Sequence, residues 1–309
     1  MTPVIEVTGL TKRYGDQTAV DGISLHVDQG EIFGILGPNG AGKTTAVECM
    51  EGLRKRDGGE VRVLGLDPRI DGRRLHQRIG VQLQQTQLQD KLTACEALEL
   101  YASFYPHPAD WRDLLERWGL ESKSRTQFSK LSGGQKQRLF IALALVGHPE
   151  VVFLDELTAG LDPGARRATW DLIRQVRDGG VTVVLVSHFM DEVEELCDRV
   201  AILEQGRIAA LDTPAGLVDQ ASAEYRMRFR PMAGQPGKPV PDEQALAALP
   251  GVTAVTRSGA QVIVTGTGDF ASAVTAELAR SQVIVADLRI DGRSLDSAYV
   301  ALTGRSMDT

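Results

Sequence analysis

The chain has 309 residues, of which 42% are hydrophobic, 24% charged and 5% aromatic, which excludes disordered, collagen-like and disulfide-scaffold proteins and allows one large or two ordinary domains. A formal net charge of -7 disfavours a general nucleic-acid binder, because neutralising phosphates demands a basic surface. The longest apolar run, residues 139–146, falls far short of the roughly 20 residues of a membrane helix. The N-terminus has no secretory pattern, and Cys49, Cys95 and Cys197 have no metal or redox spacing, so the expected compartment is the cytosol.

In chain order, residues 31–36 form an apolar strand, followed by a glycine-rich turn and a helix from Lys43 to about Gly52. Between Leu92 and Gly147 the pattern turns helical, with segments at 96–104, 111–118 and 134–146. Residues 151–154 and 181–186 are short apolar runs bounded by turn residues, the mark of buried strands in a mostly parallel sheet. An α/β core interrupted by a helical subdomain at about 90–148 therefore fills a first domain, residues 1–220. After about Ala221 a strand at 225–230 and a Gly- and Pro-rich linker at 231–241 introduce a second, small α+β domain, residues 221–309. Its helix (243–249), two strands (252–257, 261–265), helix (270–280), strand (283–290) and helix (295–302) suggest a split βαβ sandwich. With nine basic and nine acidic residues, this tail is no polybasic arm.

Gly37-Pro38-Asn39-Gly40-Ala41-Gly42-Lys43-Thr44 satisfies G-x-x-x-x-G-K-[ST] between a predicted strand and a predicted helix, the setting this phosphate loop requires. Its glycines let successive N–H groups face one point, and the helix adds the positive end of its dipole there. Lys43 would then reach the β and γ phosphates of a nucleotide, the Thr44 hydroxyl would ligate Mg²⁺, and Thr45 follows in the same nucleotide site. The strand from Val151 ends in Asp155-Glu156, and because neighbouring residues on a strand point to opposite faces the two carboxylates have different jobs. Asp155 is the candidate Mg²⁺ ligand, and Glu156 the acceptor of a proton from the attacking water. Alone, an acidic pair at a strand end is more often merely solvated; the phosphate loop gives this one its meaning. Ser132, in Leu131-Ser132-Gly133-Gly134-Gln135, caps a helix that opens on two glycines and so offers bare N–H groups, a second anion site.

With Leu131 to Gln135 the sequence resembles the ATP-binding cassette (ABC) ATPases, whose diagnostic signature is LSGGQ followed by a helix, and the resemblance is dense over residues 1–220. It implies that two cassettes sandwich two ATP molecules head to tail, with Ser132, Gly133, Gly134 and Gln135 of one capping the γ-phosphate held by the other. It also implies that Tyr14 stacks on adenine, that Asp162 belongs to a loop facing the opposite cassette, and that His188 contacts the γ-phosphate. Gln84, reached by counting back from Leu92-Thr93, is the implied catalytic and Mg²⁺-contacting glutamine, with Gln85 as runner-up. Leu157 departs from the family, where proline is usual after the catalytic glutamate, and residues 294–304 look like the closing segment of daunorubicin-resistance exporter subunits. The implied protein is a P-loop NTPase of the ABC type, a cytoplasmic homodimer held on the inner face of the membrane by a separate transmembrane permease. It would export a drug-like or hydrophobic compound and bind no nucleic acid. A soluble ABC protein acting on ribosomes or DNA would share every motif, but such relatives usually carry two cassettes per chain or a long coiled-coil insertion. A P-loop kinase or GTPase would leave the signature and His188 unexplained.

Overall fold

The protein is described by a computed structural model covering residues 2–82, 88–220, 224–232, 243–291 and 294–304. It divides into two compact units, the first reaching Pro214 and the second starting at Ala215.

The first unit opens on a hairpin of β1 (Pro3–Tyr14) and β2 (Gln17–Asp28), to which β4 (Gly58–Val63) adds antiparallel on the other side of β1. In β2 the buried Ile23, Leu25 and Val27 alternate with exposed Ser24 and His26, the period-2 pattern of a sheet with one face in the core. A second sheet has the order β5 (Ile79–Gln82), β6 (Val151–Asp155), β7 (Thr182–Ser187), β3 (Ile32–Leu36), β8 (Arg199–Glu204), β9 (Arg207–Asp212). All its pairings are parallel except β8 with β9. Every residue of β3, β6 and β7 is buried, because helices or the other sheet cover both faces, and this is why these strands are unbroken apolar runs. Helix α1 (Lys43–Glu51) packs Ala46, Val47 and Met50 into one core with Val7, Phe33 and Val184. Gly52, at φ 80°, ends it in the left-handed conformation typical of a helix stop.

After the short α2 (Gly72–Leu75), α3 (Ala94–Ala102), α4 (Trp111–Arg117) and α5 (Gly133–Leu145) occupy the three segments expected to be helical, each within about two residues. Thr93 and Glu96 close a capping box on α3. The far end of α5 lies directly on β5: a Cβ at Gly80 would stand 2.1 Å from the Ala144 carbonyl oxygen. This contact fixes the helix that begins at the signature against the main sheet. Helices α6 (Pro163–Asp178) and α7 (Met190–Leu196) complete the first unit, and α8 (Pro214–Gln220) begins at its last residue and belongs otherwise to the second.

The second unit runs β10 (Glu224–Pro231), α9 (Glu243–Ala247), β11 (Val252–Ser258), β12 (Gln261–Thr267), α10 (Phe270–Arg280), β13 (Val285–Asp291). Its all-antiparallel sheet has the order β11-β12-β10-β13, a split βαβ arrangement, with Met227, Phe229 and Val264 buried against Leu246, Phe270 and Val274 of the helices. Helix α11 (Leu295–Thr303) follows. The expected linker at 231–241 lies almost wholly outside the described residues, and its first residue, Pro231, belongs to β10.

Candidate active site

The loop from Gly37 to Gly42 leaves the end of β3 and enters α1. Gly40 and Gly42 sit at φ 80° and 96°, and a Cβ on Gly42 would stand 2.2 Å from the Ala19 carbonyl oxygen, so only glycine fits. Gly42 is also the N-cap, so no N-cap side chain satisfies the first amides of α1, the prerequisite of a helix-end anion site. The Lys43 ammonium is folded into this loop and donates to the carbonyls of Gly37 (2.6 Å) and Pro38 (3.0 Å). Lys43 is only 5% exposed, and burial pulls its pKa down against the opposing pull of Glu156 and Asp155. Asn39 and Gly40 are exposed at the tip, Ala41 is buried, and Thr45 is half-buried in the first turn.

Beside it, β6 delivers the two acids. The Thr44 hydroxyl donates to Asp155 Oδ2 at 3.1 Å, while Asp155 Oδ1 is buried with no hydrogen-bond partner among the described residues. Burial pushes the Asp155 carboxyl up to about 6, with the Thr44 bond and Lys43 acting the other way. Glu156 then takes the left-handed conformation, φ 49°, its N–H donating to Val186 O at 2.9 Å. This turn sends its carboxylate to His188, whose Nδ1 lies 3.0 Å from Glu156 Oε1 just beyond the end of β7. Leu157, next to Glu156, is fully buried.

Ser132 and Gln135 form a capping box on α5: Ser132 Oγ accepts from the Gln135 N–H at 3.3 Å, and Gln135 Oε1 from the Ser132 N–H at 3.0 Å. With Gly133 and Gly134 they line a pocket shared with Gly160, Leu161 and Asp162; none of residues 37–44 lines it. Asp162 uses its carboxylate as the N-cap of α6, accepting from Gly164 and Ala165 N–H at 3.0 Å each. Tyr14 is 43% exposed at the end of β1, its ring centroid 5.5 Å from Lys12 Nζ and 5.3 Å from Arg54 Cζ. The structure thus gathers Lys43, Thr44, Asp155, Glu156 and His188 at one place and Ser132–Gln135 with Asp162 at another. Gln84 lies outside the described residues.

Two buried acids escape a reading by motif. Glu51 closes α1, 3% exposed, with Oε2 unpartnered among the described residues. Glu192, in the first turn of α7, accepts hydrogen bonds from Thr158, two residues after Glu156, and from Ser187, immediately before His188. Neither belongs to a recognisable pattern; Glu51 follows the apolar Cys49-Met50, but Glu192 stands in the acidic run Asp191-Glu192-Val193-Glu194-Glu195, where nothing in the sequence sets it apart.

Residues 20–159 match the family model described as ABC transporter. Daunorubicin resistance ATP-binding protein DrrA3 of Streptomyces coeruleorubidus is 36% identical over 307 residues, covering 97% of this chain and 96% of that protein. The chain belongs to the ABC transporter family. Nod factor export ATP-binding protein I of Ralstonia nicotianae is 39% identical over 222 residues, 70% of this chain and 69% of its own. Among solved structures, cbiO1 from Clostridium perfringens, part of the ABC transporter complex cbiONQ, gives a TM-score of 0.65 at 29% identity, covering 71% of this chain and 92% of that one. A dimeric bacterial ABC transporter cassette gives 0.60 at 28% identity, covering 68% and 98%. This ABC chain is accordingly the ATPase subunit of a transporter, built on a P-loop α/β core. No helix among its described residues is long and apolar enough to cross a membrane.

Proposed function

We propose that this ABC ATPase works as a head-to-tail dimer around two ATP molecules and drives export through a separate transmembrane permease. One observation carries the reading: the Gly42-capped helix of the phosphate loop and the glycine-opened helix at Ser132 are separate, and no residue of the loop lines the signature pocket. A second copy supplying Ser132–Gln135 to the first copy's Lys43 completes both halves at once. The solved dimeric cassette and the names of the relatives, daunorubicin resistance and Nod factor export, support it.

In this reading the amides of Gly37 to Thr44 and the Lys43 ammonium bind the β and γ phosphates, Thr45 adds to the site, and Tyr14 stacks on adenine. Mg²⁺ fits the donor set: one hydroxyl, one carboxylate with a buried oxygen unpartnered among the described residues, and substrate phosphates for the rest. When bound it screens the phosphate charge; Thr44 and Asp155 would hold it, with Gln84 as a further contact. Glu156 accepts the proton of the attacking water, and His188, 3.0 Å away, orients that carboxylate beside the γ-phosphate. Asp162, its carboxylate engaged on α6, faces the partner through its main chain. The helical subdomain, about residues 90–148, and the loop around Gln84 are the docking face for the permease, and Leu100 and the 61% exposed Phe104 suit that contact. The cassette comprises residues 1–220 and the accessory domain 221–309; the complex sits on the inner face of the membrane, with no nucleic acid as partner.

The test is the mass of Glu156→Gln with ATP and Mg²⁺, measured by light scattering after size exclusion. Twice the protomer mass is expected; a monomer at millimolar ATP would falsify the shared site. Co-expression should recover the chain with a polytopic membrane protein, and recovery with ribosomes or DNA instead would overturn the transport assignment.

A further inference from the structure

Glu192 lies four residues beyond His188 and is 0% exposed. Three donors end on its carboxylate: Thr158 Oγ1 at 2.8 Å and Trp170 Nε1 at 3.2 Å on Oε1, and Ser187 Oγ at 2.6 Å on Oε2. They come from three separate elements. Thr158 stands two residues after Glu156, Ser187 immediately precedes His188, and Trp170 belongs to α6, the helix that Asp162 caps. Ser187 Oγ also accepts from the Phe189 N–H at 3.0 Å, so the same cluster sets the turn on which His188 stands.

A buried carboxylate costs stability unless its oxygens are filled, and an apolar side chain would pack this spot without that cost. The donors to Glu192 are all neutral, so the group is an acceptor hub, with Arg166 contributing favourable charge from nearby. Glu156, for its part, holds a left-handed backbone, which persists only where the surroundings over-determine it. The Thr158–Glu192 bond is one such clamp, and the Glu156 N–H to Val186 O bond is another.

We infer that Glu192 is a positioning residue: by tying Thr158 to Ser187 through one carboxylate, it holds Glu156 and His188 at the separation that hydrolysis requires. The inference rests on the reading of Glu156 and His188 given above. It predicts a separation of effects, because the phosphate loop and Tyr14 make no hydrogen bond to this hub.

The experiment is steady-state ATPase on the full chain, with ATP affinity measured in parallel by calorimetry. Glu192→Ala should lower kcat by about 10- to 100-fold, the effect of displacing a catalytic group by about 1 Å, and leave ATP affinity within about twofold. Glu192→Gln should recover most of the activity, since its Oε1 still accepts from Thr158 and Trp170 while its amide donates to Ser187 Oγ. A folded Glu192→Ala with kcat within about twofold of the parent overturns the inference, as does one that loses affinity and kcat together. Glu192→Gln no better than Glu192→Ala also overturns it, in favour of the charge. Should Glu192→Ala fail to fold, Thr158→Val keeps the volume and severs only the Glu156 side. It should cost about fivefold in kcat, and unchanged turnover counts against the hub. Glu156→Gln runs alongside: if it hydrolyses ATP normally, the catalytic reading falls and takes the hub with it, whereas a dead Glu156→Gln beside a normal Glu192→Ala overturns the hub alone.

Discussion

Replacing Glu51 by glutamine should stabilise this ATPase, and by an amount that grows with pH. Glu51 is almost fully buried, and its carboxyl is pushed up from its ordinary value of 4.5 to about 8, first by burial and then by the negative charges of Asp155 and Glu48. A carboxyl with a folded pKa above its unfolded one stays protonated in the fold after the unfolded chain has lost the proton. Its favourable contribution is therefore complete below about pH 4.5 and is lost as pH rises to about 8. At about 1.4 kcal/mol per pH unit, the whole interval amounts to about 5 kcal/mol, and the part reached at pH 7 to about 3 kcal/mol, both order-of-magnitude figures. Glutamine keeps the shape and cannot ionise. Urea unfolding of the two proteins should give nearly equal stability at pH 5 and a gap of about 3 kcal/mol at pH 7, or about 6 to 12 °C in Tm. The Glu51→Gln curve keeps a slope near pH 4 to 6, because Asp155, pushed up to about 6, still titrates there. Parallel stability curves for the two proteins from pH 5 to 8 would refute the assignment of a raised pKa to Glu51.

Lys43→Ala removes the only side-chain cation in the phosphate loop and should reduce ATP turnover by about 100-fold or more, with weaker ATP binding by calorimetry; undiminished turnover would remove Lys43 from the site. A Cβ at Gly134 would stand in ordinary contact with Ala165 Cβ, 3.4 Å away, so Gly134→Asp acts by its charge, placing a carboxylate where a phosphate should sit. Mixing Gly134→Asp with Lys43→Ala gives, in half the dimers, one intact composite site of two, and so about a quarter of the parental turnover; no recovery at all would argue against shared sites. Arg56 donates to both oxygens of Asp67 at 2.9 and 2.8 Å and holds that carboxyl down at about 2. The resulting stability, about 2 kcal/mol, is present above pH 4 and lost as pH falls toward 2. Asp67→Asn should abolish that acid-side loss in thermal melts, and an unchanged acid limb would contradict the pair.

Local features were the legible ones. The phosphate loop, the strand ending in Asp155-Glu156 and the capped helix at Ser132 are each written in a few consecutive residues, and the structure sets each on the expected strand or helix. The tail was legible for the same reason, since its short elements alternate with clear turn residues. Harder to see is the three-stranded sheet of the first unit. Its alternation at Ile23, Leu25 and Val27 is plain, but the pairing of β1 with β4, as at Val7 with Val61, is a long-range choice that no local pattern announces. The antiparallel β9 on a parallel sheet is hidden for the same reason. In the candidate site, Glu51 and Glu192 were invisible because burial beside other acids gives Glu51 its character and partners arriving from three elements give Glu192 its own, and sequence spacing carries neither.

The left-handed backbone at Glu156 also bears on how inactive variants should be chosen. Asparagine tolerates that conformation and glycine adopts it freely, whereas a β-branched residue there combines a lost carboxylate with a twisted main chain. A valine at 156 could therefore silence the enzyme for reasons unrelated to proton transfer. Glutamine, which differs from the native side chain by one amide nitrogen and carries the same backbone preference, is the cleaner comparison.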